Sequence, residues 1–338
     1  MSSTTISTTR EVRLAARPVG EPGPGDFELV EVAVPELRDG QLLVRNTWMS
    51  VDPYMRGRMD DAPSYIPPFE LGAPLEGSAV GEVVASRADG IAVGATVSHF
   101  LGWREHAVVD AAAATVVDLS LASAQAYLGV LGTTGLTAYA ALTEIAPVRE
   151  GDVVFVSGAA GAVGSVAGQI ARKLGAARVI GSAGGPGKAA KLTGAFGFDA
   201  ALDYRAGGIA EQLAVAAPDG IDVYVDNVGG DHLEAAIGAL RDDGRVALVG
   251  AVAEYNATAP VPGPTNLYRA VTRRLTLRGM LVSEHFGLFP EYVERAAGWL
   301  ADGSLHTEET VRDGLDAAPE AFLGVLNGAN VGKMLVRL

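Results

Sequence analysis

The sequence contains no cysteine among its 338 residues. Disulfide bonds, thiolate zinc sites and a cysteine nucleophile are therefore excluded. Positive charge is also scarce, since 26 Lys and Arg stand against 40 Asp and Glu and give a formal net charge of −14. This acidic balance argues against nucleic acid or an anionic membrane surface as a partner.

Targeting signals and long unbroken apolar runs are equally sparse. The N-terminus has no basic stretch followed by an apolar run, so no signal peptide is predicted and a cytoplasmic location is expected. Two uncharged runs, 119–143 and 153–171, are interrupted by Gly, Ser, Thr and Gln. Such interrupted runs favour the buried core of an α/β domain over membrane spans.

The hydrophobic pattern changes near residue 122. Before it, short β-like runs separated by Gly, Pro and Asp clusters indicate an irregular β-rich domain. After it, strands and helices alternate, which predicts an α/β fold with a doubly wound parallel sheet. We predict a β-rich domain over 1–122, joined by 304–338, and a Rossmann domain over 123–303.

A glycine-rich turn, "SGAAGAVGS", lies between an apolar strand and a helix expected at 163–174. Glycines there let the backbone approach a pyrophosphate, and the helix N-terminus supplies N–H groups with a partial positive charge. The spacing of Gly158, Gly161 and Gly164 is looser than the common G-x-G-x-x-G. In this strand–turn–helix context the turn predicts dinucleotide binding.

The end of the following strand discriminates between NAD and NADP. NAD sites usually place an Asp or Glu about twenty residues further on, where it holds the ribose 2′-hydroxyl. Here "GSAGGPGK" offers Ser182, glycines and Lys188 but no acid, and Arg205 follows nearby. A lysine attracts the 2′-phosphate that a carboxylate would repel, so NADPH is the predicted cofactor. The alternative is that Lys188 is a solvated lysine at a helix start.

Several segments, taken together, resemble a single family: "SVDPYMRGRM" (50–59), "GVLGTTGLTAY" (129–139), "GAAGAVGS" (158–165), "GFDAALDY" (197–204), "VYVDNVGG" (223–230), "VGAVAEYN" (249–256) and "GANVGKMLV" (328–336). They are similar to the medium-chain dehydrogenase/reductases. The branch is the zinc-independent one of prostaglandin reductases, plant alkenal double-bond reductases and bacterial curcumin-reductase-like enzymes. The resemblance implies a GroES-like first domain, a Rossmann second domain, NADPH in the cleft between them, and a homodimer.

The resemblance also implies which residues hold the cofactor. The pyrophosphate would lie on Gly161, Ala162, Val163 and Gly164, and the adenosine phosphate beside Lys188 and Tyr204. The cofactor's length would be lined by Asn227, Gly250, Ala251, Val252 and Tyr255, and its nicotinamide end by Met280, Leu281, Val282, Asn330 and Thr137.

No metal site is predicted, because His99 and His106 have neither thiolate partners nor a tight H-x-x-x-H spacing. Without a Lewis acid, hydride transfer to a simple carbonyl would build an alkoxide with little to stabilise it. A C=C bond conjugated to a carbonyl suits the site better, since the charge spreads into an enolate. The predicted function is therefore NADPH-dependent reduction of hydrophobic α,β-unsaturated aldehydes and ketones. A quinone oxidoreductase and a non-catalytic NADPH-binding sensor remain as alternatives.

The group that meets the enolate is less well determined by the sequence. Eukaryotic members of the branch have a tyrosine at the position occupied here by Thr272, so this chain departs from their pattern. Tyr268, one helical turn earlier, and Tyr54, in "DPYMR", are the catalytic candidates; each could instead be a packing aromatic. Arg56 and Arg58 are expected to pair with Asp60 and Asp61; the alternative is that they attract an acidic substrate.

Overall fold

The computed structural model describes residues 6–338, which divide into two compact units. The first unit comprises the described residues up to Leu128 together with Glu309–Asn330 and Met334–Leu338. The second unit comprises Gly129–Glu308 and Val331–Lys333. The sequence pattern placed the divisions at residues 122 and 304 and did not indicate that Val331–Lys333 returns to the second unit.

Strands dominate the chain before Gly129, as the short β-like runs predicted. Its elements are β1 (Thr8–Leu14), β2 (Phe27–Ala33), β3 (Gln41–Ser50), α1 (Met55–Arg58), β4 (Ala79–Ser86), β5 (Thr96–His99), β6 (His106–Asp110) and β7 (Thr115–Val116). The only α-helix among them has four residues.

Strands and helices alternate through the second unit. Its elements are α2 (Thr133–Ala140), β8 (Val153–Val156), α3 (Ala162–Lys173), β9 (Arg178–Ala183), α4 (Pro186–Gly194), β10 (Ala200–Asp203), α5 (Ile209–Ala216), β11 (Ile221–Asp226), α6 (Gly230–Ala239), β12 (Leu240–Leu248), α7 (Tyr268–Thr272), β13 (Thr276–Gly279) and α8 (Phe289–Ala301). The predicted helix 163–174 corresponds to α3 within one residue at each end.

The chain ends with β14 (Glu309–Asp313), α9 (Ala318–Leu326) and β15 (Lys333–Arg337). Strand β15 pairs antiparallel with β3, so the strand-like C-terminus joins the first unit's sheet as predicted. That sheet has the order β14-β15-β3-β4-β5-β7, with β6 also pairing with β3, and β1 and β2 form a separate two-stranded sheet.

The second unit contains a six-stranded sheet with the order β10-β9-β8-β11-β12-β13. Every pairing in it is parallel. The order reverses direction at β8 and β11, whose carboxyl ends therefore border the switch point where α/β sheets bind ligands. The α/β fold class, with a doubly wound sheet and a separate β-rich domain, is confirmed.

Each unit has its own apolar core. In the first unit the largest buried side chains include Trp103, which stacks on Phe27 at 6.1 Å between ring centroids. In the second unit Phe155 of β8 stacks on Tyr224 of β11 at 5.0 Å. The stacked pair lies directly beneath the switch point, so packing fixes the two strands whose ends carry the candidate site.

Two uncharged runs resembled membrane spans in the sequence. None of the helices within residues 6–338 has the length and apolar character needed to cross a bilayer.

Candidate functional site

The glycine turn after β8 is held in one conformation by its own backbone. Gly158 has φ +58°, a left-handed value that favours glycine, and its carbonyl accepts the Gly161 N–H at 3.0 Å. A Cβ on Gly164 would lie 2.5 Å from the Gly158 oxygen and 2.7 Å from the Ala159 Cα. The first turn of α3 therefore packs against the loop with no room for a side chain.

The start of α3 offers backbone N–H groups that its capping residue cannot satisfy. Gly161 is the N-cap and has no side chain to accept a hydrogen bond from the first turn. The twelve-residue helix also adds a partial positive charge at this end. Its N-terminal residues Ala162, Val163 and Gly164 thus present donors suited to a pyrophosphate.

The segment Val331–Lys333 buttresses the same turn. The Gly332 N–H donates to the Ala160 carbonyl at 2.7 Å, and Gly332 forms an isolated bridge with Gly161. A Cβ on Gly332 would lie 1.7 Å from the Glu308 carbonyl oxygen, so only glycine fits. The sequence pattern pointed to Asn330, two residues earlier, and did not indicate this role of Gly332.

The turn after β11 is organised by one buried carboxylate. Asp226 is 1% exposed, and its Oδ1 accepts hydrogen bonds from Tyr224 Oη at 2.7 Å and Ser157 Oγ at 3.2 Å. The same oxygen accepts the N–H groups of Val228 at 3.0 Å and Gly229 at 2.9 Å. This carboxylate holds the turn that starts α6.

Asn227 is positioned at the glycine turn by the same network. Its N–H donates to Ser157 Oγ at 2.9 Å, and its Nδ2 donates to the Ser157 carbonyl at 2.7 Å. Its Cβ would lie 3.5 Å from a Cβ on Gly158. The structure therefore brings together Asn227 and the glycine turn, 69 positions apart in the chain, at the switch point.

The segment Gly250–Tyr255 continues this surface. The Val252 N–H donates to the Asn227 carbonyl at 3.3 Å, and the Tyr255 hydroxyl lies 3.2 Å from where a Gly250 Cβ would be. Burial raises the pKa of Tyr255, which keeps its hydroxyl protonated. The Ala251 N–H, in the same segment, lies 3.5 Å from the Tyr255 hydroxyl.

The remaining residues expected near the nicotinamide differ in burial, and they do not all belong to the same unit. Met280 is buried and its N–H donates to the Leu248 carbonyl at 3.0 Å, next to Gly250. Leu281 is exposed and Val282 is half-buried. The Thr137 hydroxyl donates to the Thr133 carbonyl within α2, and Asn330 is buried in the first unit.

A cationic corner lies at the ends of β9 and β10. A Cβ on Gly184 would lie 2.5 Å from the Tyr204 hydroxyl and 3.0 Å from Arg205 Nε, so both side chains close over this glycine. Lys188 lies half-buried in the first turn of α4. Burial, followed by the nearby positive charge of Arg205, lowers the pKa of Lys188. Two positively charged side chains this close together favour the binding of an anion beside them.

Two buried polar groups border this corner. Ser182, the residue that begins "SAGGPGK", is fully buried, and its hydroxyl has no hydrogen-bond partner among residues 6–338. His232 Nε2 on α6 is also buried and has no hydrogen-bond partner among those residues. The His232 ring meets Tyr204 edge-on, with 5.7 Å between the ring centroids.

In the first unit, Tyr54 precedes the short helix α1 and its hydroxyl oxygen is buried. That oxygen has no hydrogen-bond partner within the described range 6–338. Burial, followed by the charge of Asp52, raises the pKa of Tyr54 well above its ordinary value. The hydroxyl therefore keeps its proton at neutral pH and is able to donate a hydrogen bond.

The two arginines after Tyr54 are both buried and engaged. Arg56 pairs with Asp60 at 2.7 Å, as expected, whereas Arg58 pairs with Glu76 at 2.9 Å rather than with Asp61. Arg58 also donates to the Pro67 carbonyl at 2.9 Å. These bonds attach the proline-rich segment after α1 to α1 itself, the helix that Tyr54 precedes.

Tyr268, the other catalytic candidate, is in a different environment. It begins α7 and is 74% exposed, and Thr272 ends the same helix on the same face. Its hydroxyl is accessible to solvent, whereas that of Tyr54 is shielded.

Comparisons with known proteins identify the family. A family model described as the N-terminal domain of oxidoreductase matches residues 10–117, and one described as zinc-binding dehydrogenase matches 162–299. A putative NADP-dependent oxidoreductase of Bacillus subtilis is 42% identical, with 98% of each chain covered. The NADP(+)-dependent 2-alkenal reductase of Nicotiana tabacum is 35% identical, with 97% of each covered. The chain belongs to the medium-chain dehydrogenase/reductase family, in its alkenal and prostaglandin reductase branch.

A solved structure of this family has the same fold. CurA of Vibrio vulnificus, crystallised in complex with NADPH, superposes with a TM-score of 0.91 at 37% identity, covering 97% of this chain and 98% of that one.

Two histidines of this medium-chain reductase, His99 and His106, are hydrogen-bonded within the protein. His99 is buried; its Nδ1 accepts the Leu101 N–H at 3.1 Å and its Nε2 lies 2.9 Å from Asn46 Oδ1. His106 contacts the Thr9 hydroxyl at 3.3 Å through Nδ1. Among residues 6–338, no three His, Cys, Asp or Glu side chains are grouped so that they could hold a metal ion.

Sequence reasoning named the glycines, Lys188 and Asn227 but missed the carboxylates that position them. Asp226 stands immediately before Asn227 in "VYVDNVGG", and Asp203 immediately before Tyr204 in "ALDY". An Asp at the carboxyl end of a buried strand is a signal that could have found both, since strand ends border ligand sites in this sheet type.

Proposed function

We propose that this protein reduces the C=C bond of α,β-unsaturated aldehydes and ketones with NADPH as the hydride donor. The observation that carries the proposal is the cationic corner of Lys188 and Arg205 at the end of β9, where an NAD site would place an acid. The names of the tobacco and Bacillus relatives, both NADP-dependent, and the NADPH complex of CurA support the same cofactor.

The second unit fits the cofactor along its length. The donors of the first turn of α3 suit the pyrophosphate, and a side chain on Gly164 would fill the place where helix and turn meet. Lys188, Tyr204 and Arg205 suit the 2′-phosphate, with the Ser182 hydroxyl as a further donor at the strand end. Asn227 and Gly250–Tyr255 then extend from the switch point towards Met280.

When bound, NADPH supplies a hydride, which adds to the substrate's β-carbon. The negative charge then develops on the carbonyl oxygen, so the protein must offer a donor to that oxygen. Tyr54 is our proposed donor, because its hydroxyl keeps its proton and has no partner within residues 6–338. Water protonates the α-carbon. Tyr268, with its exposed hydroxyl, is the second candidate for the same role.

The substrate is expected to be hydrophobic. The segment after α1 exposes Tyr65 and Leu71, and the segment before α7 exposes Val261 and Leu267. Neither segment forms a helix or strand of any length. Exposed apolar side chains on irregular segments are typical of the walls of binding sites for apolar ligands.

Substrate consumption tests this proposal directly. NADPH oxidation is followed by its absorbance while an enal, an enone and a quinone are offered separately, and the product of the enone reaction is identified by mass spectrometry. We expect a saturated aldehyde or ketone. Consumption with the quinone alone would instead indicate a quinone oxidoreductase, and NADPH binding without consumption would indicate a sensor; either result contradicts the proposal.

We also propose that the protein is a homodimer. Strand β13 is the last strand of the six-stranded sheet, so one of its edges can pair with another chain. Nearby, α7 and the segment after β13 expose Tyr268, Val271 and Phe286. Light scattering should give twice the chain mass of 34.7 kDa, and Val271→Asp should shift it towards the monomer. A monomeric wild type would refute this part of the proposal.

A further inference from the structure

Asp203, the last residue of β10, ties together the two segments that form the cationic corner. Its Oδ1 accepts the Gly185 N–H at 2.8 Å and the Arg205 N–H at 2.9 Å. Backbone N–H groups bound to one carboxylate oxygen are charge-assisted hydrogen bonds, stronger than neutral ones. A single oxygen therefore fixes the start of one segment against the start of the other.

Each of these donors lies within three residues of the proposed 2′-phosphate site or belongs to it. Gly185 is the N-cap of α4, with φ +92°, and Lys188 follows three positions later. Arg205 follows Tyr204, and both side chains lie over Gly184. The relative placement of Lys188 and Arg205 thus depends on the bonds that Asp203 accepts.

The backbone of Asp203 is itself held from α5. Gln212 Oε1 accepts the Asp203 N–H at 2.9 Å, and Gln212 Nε2 donates to the Asp203 carbonyl at 2.9 Å. The same Nε2 donates to the Gly207 carbonyl at 3.0 Å. This side chain therefore closes the loop that carries Tyr204 and Arg205, and places Asp203 independently of the cofactor.

The charge of Asp203 would by itself oppose a phosphate nearby. A carboxylate near the ribose is the feature that selects NAD in related sheets, because it repels the 2′-phosphate. Here its lone pairs point at two backbone donors, and its bonds hold two cations in place. The net effect of the side chain thus depends on whether positioning or repulsion is larger.

We propose that Asp203 is a positioning residue that raises the preference for NADPH over NADH by holding Lys188 and Arg205 together. This inference rests on the proposed function, since it concerns the same 2′-phosphate site. Positioning and repulsion give opposite signs when the side chain is changed, so the two are separable by measurement.

The test compares Asp203→Ala with Asp203→Asn by calorimetric titration with NADPH, NADH and 2′,5′-ADP. Alanine removes both hydrogen bonds, and we expect NADPH and 2′,5′-ADP to bind about tenfold more weakly while NADH changes by less than about twofold. Asparagine keeps an acceptor oxygen and removes the charge, so it should restore the wild-type NADPH affinity or exceed it. If both variants bind NADPH more tightly, or if alanine leaves the NADPH-to-NADH ratio unchanged, the inference is overturned.

Asp199 provides a matched control at the other end of the same strand pair. Its Oδ2 accepts the Val179 N–H at 2.7 Å and pairs with Arg172, so it also joins β9 to β10 through a backbone donor. Asp199→Ala should lower the melting temperature to a similar extent as Asp203→Ala, yet leave the NADPH-to-NADH ratio unchanged. An equal change of ratio in both variants would mean that loosening the strands is sufficient, which also overturns the inference.

Gln212→Ala covers the case in which Asp203→Ala does not fold. It removes the bonds that hold the Asp203 backbone but leaves the carboxylate, so the ratio should fall in the same direction by about threefold. An unchanged ratio in this variant counts against the inference. Failure of the proposed function is recognised separately, because the wild type would then bind NADPH no more tightly than NADH or would not reduce an enone with NADPH.

Discussion

The carboxylates Asp226 and Asp203 of the second unit and the Tyr54 hydroxyl before α1 differ in whether their hydrogen bonds are made. At the switch point, one oxygen of Asp226 accepts four hydrogen bonds, and at the end of β10 one oxygen of Asp203 accepts two. At α1, the Tyr54 hydroxyl and Arg58 Nη1 are buried and have no hydrogen-bond partner among residues 6–338. A buried unsatisfied polar group costs about 1–3 kcal/mol.

Under the proposed function, this difference corresponds to the division between cofactor binding and chemistry. A surface that binds a cofactor profits from groups fixed before binding, because less of the protein's entropy is lost when the ligand arrives. A group that must serve a charge appearing only during the reaction is best left uncommitted in the resting protein, since a partner would have to be displaced first.

Gly164→Ala should have the largest effect, because the fixed backbone at the switch point leaves no room. The new Cβ would lie 2.5 Å from the Gly158 oxygen, so the turn or α3 must shift, at a cost of about 3 kcal/mol, the upper end of the usual range for overpacking. We expect a lower urea midpoint and loss of measurable NADPH binding. Gly194→Ala, in α4 with no atom within 4 Å of its Cβ, should be neutral or stabilising by up to about 1 kcal/mol. Equal stability of the two variants would show that the turn is adaptable.

What the sequence predicted and what it missed follow from the range of the interactions. The alternation of strands and helices and the glycine turn before α3 depend on neighbours within a few residues, and the sequence pattern predicted both. The role of Lys188 rests on the same local pattern and stays a prediction. The bond from Asn227 to Ser157 spans 70 positions, and Gly332 reaches Ala160 from the far end of the chain. Arg58 likewise pairs with Glu76 rather than with the nearer Asp61. Such partners are selected by packing, which local periodicity does not encode.

A measurement on His99 tests whether the first unit also contains buried polar side chains that are fixed by hydrogen bonds. Asn46 Nδ2 donates to the Leu101 and Arg104 carbonyls, so its oxygen faces His99 and accepts from Nε2, while Nδ1 accepts the Leu101 N–H. The ring is therefore neutral. Burial, followed by the charge of Arg104, lowers the pKa of His99 to about 4 from 6.5.

The sign of the pH effect follows from this shift. Between pH 6.5 and about 4 the unfolded chain binds a proton that the folded protein does not, so stability is complete above 6.5 and declines as the pH falls. The decline due to His99 should be about 3 kcal/mol. Urea unfolding across this range should show a smaller decline in His99→Gln. Equal declines in variant and wild type would mean that the ring is free to ionise when folded.

Tyr54→Phe tests the role of the unsatisfied hydroxyl that precedes α1. Removal of the uncommitted hydroxyl should lower kcat for an enone about a hundredfold, leave the NADPH Kd unchanged and raise stability by about 1 kcal/mol. Tyr292→Phe is the matched control, since its buried hydroxyl donates to the Val130 carbonyl at 2.5 Å. That variant should lose about 1 kcal/mol of stability and retain turnover.

The outcome also discriminates between the two candidate tyrosines. If Tyr268→Phe lowers kcat more than Tyr54→Phe does, the exposed tyrosine of α7 is the donor and the lack of a partner at Tyr54 has another origin. If neither variant lowers kcat, the cofactor ribose and water suffice for the enolate.

Lys188→Ala should have the smallest effect, because Arg205 and Tyr204 remain at the same corner. Loss of one half-buried cation beside a phosphate should weaken NADPH binding about tenfold and leave NADH unaffected. The pKa of Lys188 is lowered by burial and by Arg205, so in the wild type the weakening of NADPH binding at alkaline pH should begin below the ordinary lysine pKa of 10.5. That alkaline loss should be absent from Lys188→Ala. If the variant keeps both the affinity and its alkaline decline, Arg205 alone holds the phosphate, and the positioning role of Asp203 concerns that residue and Tyr204.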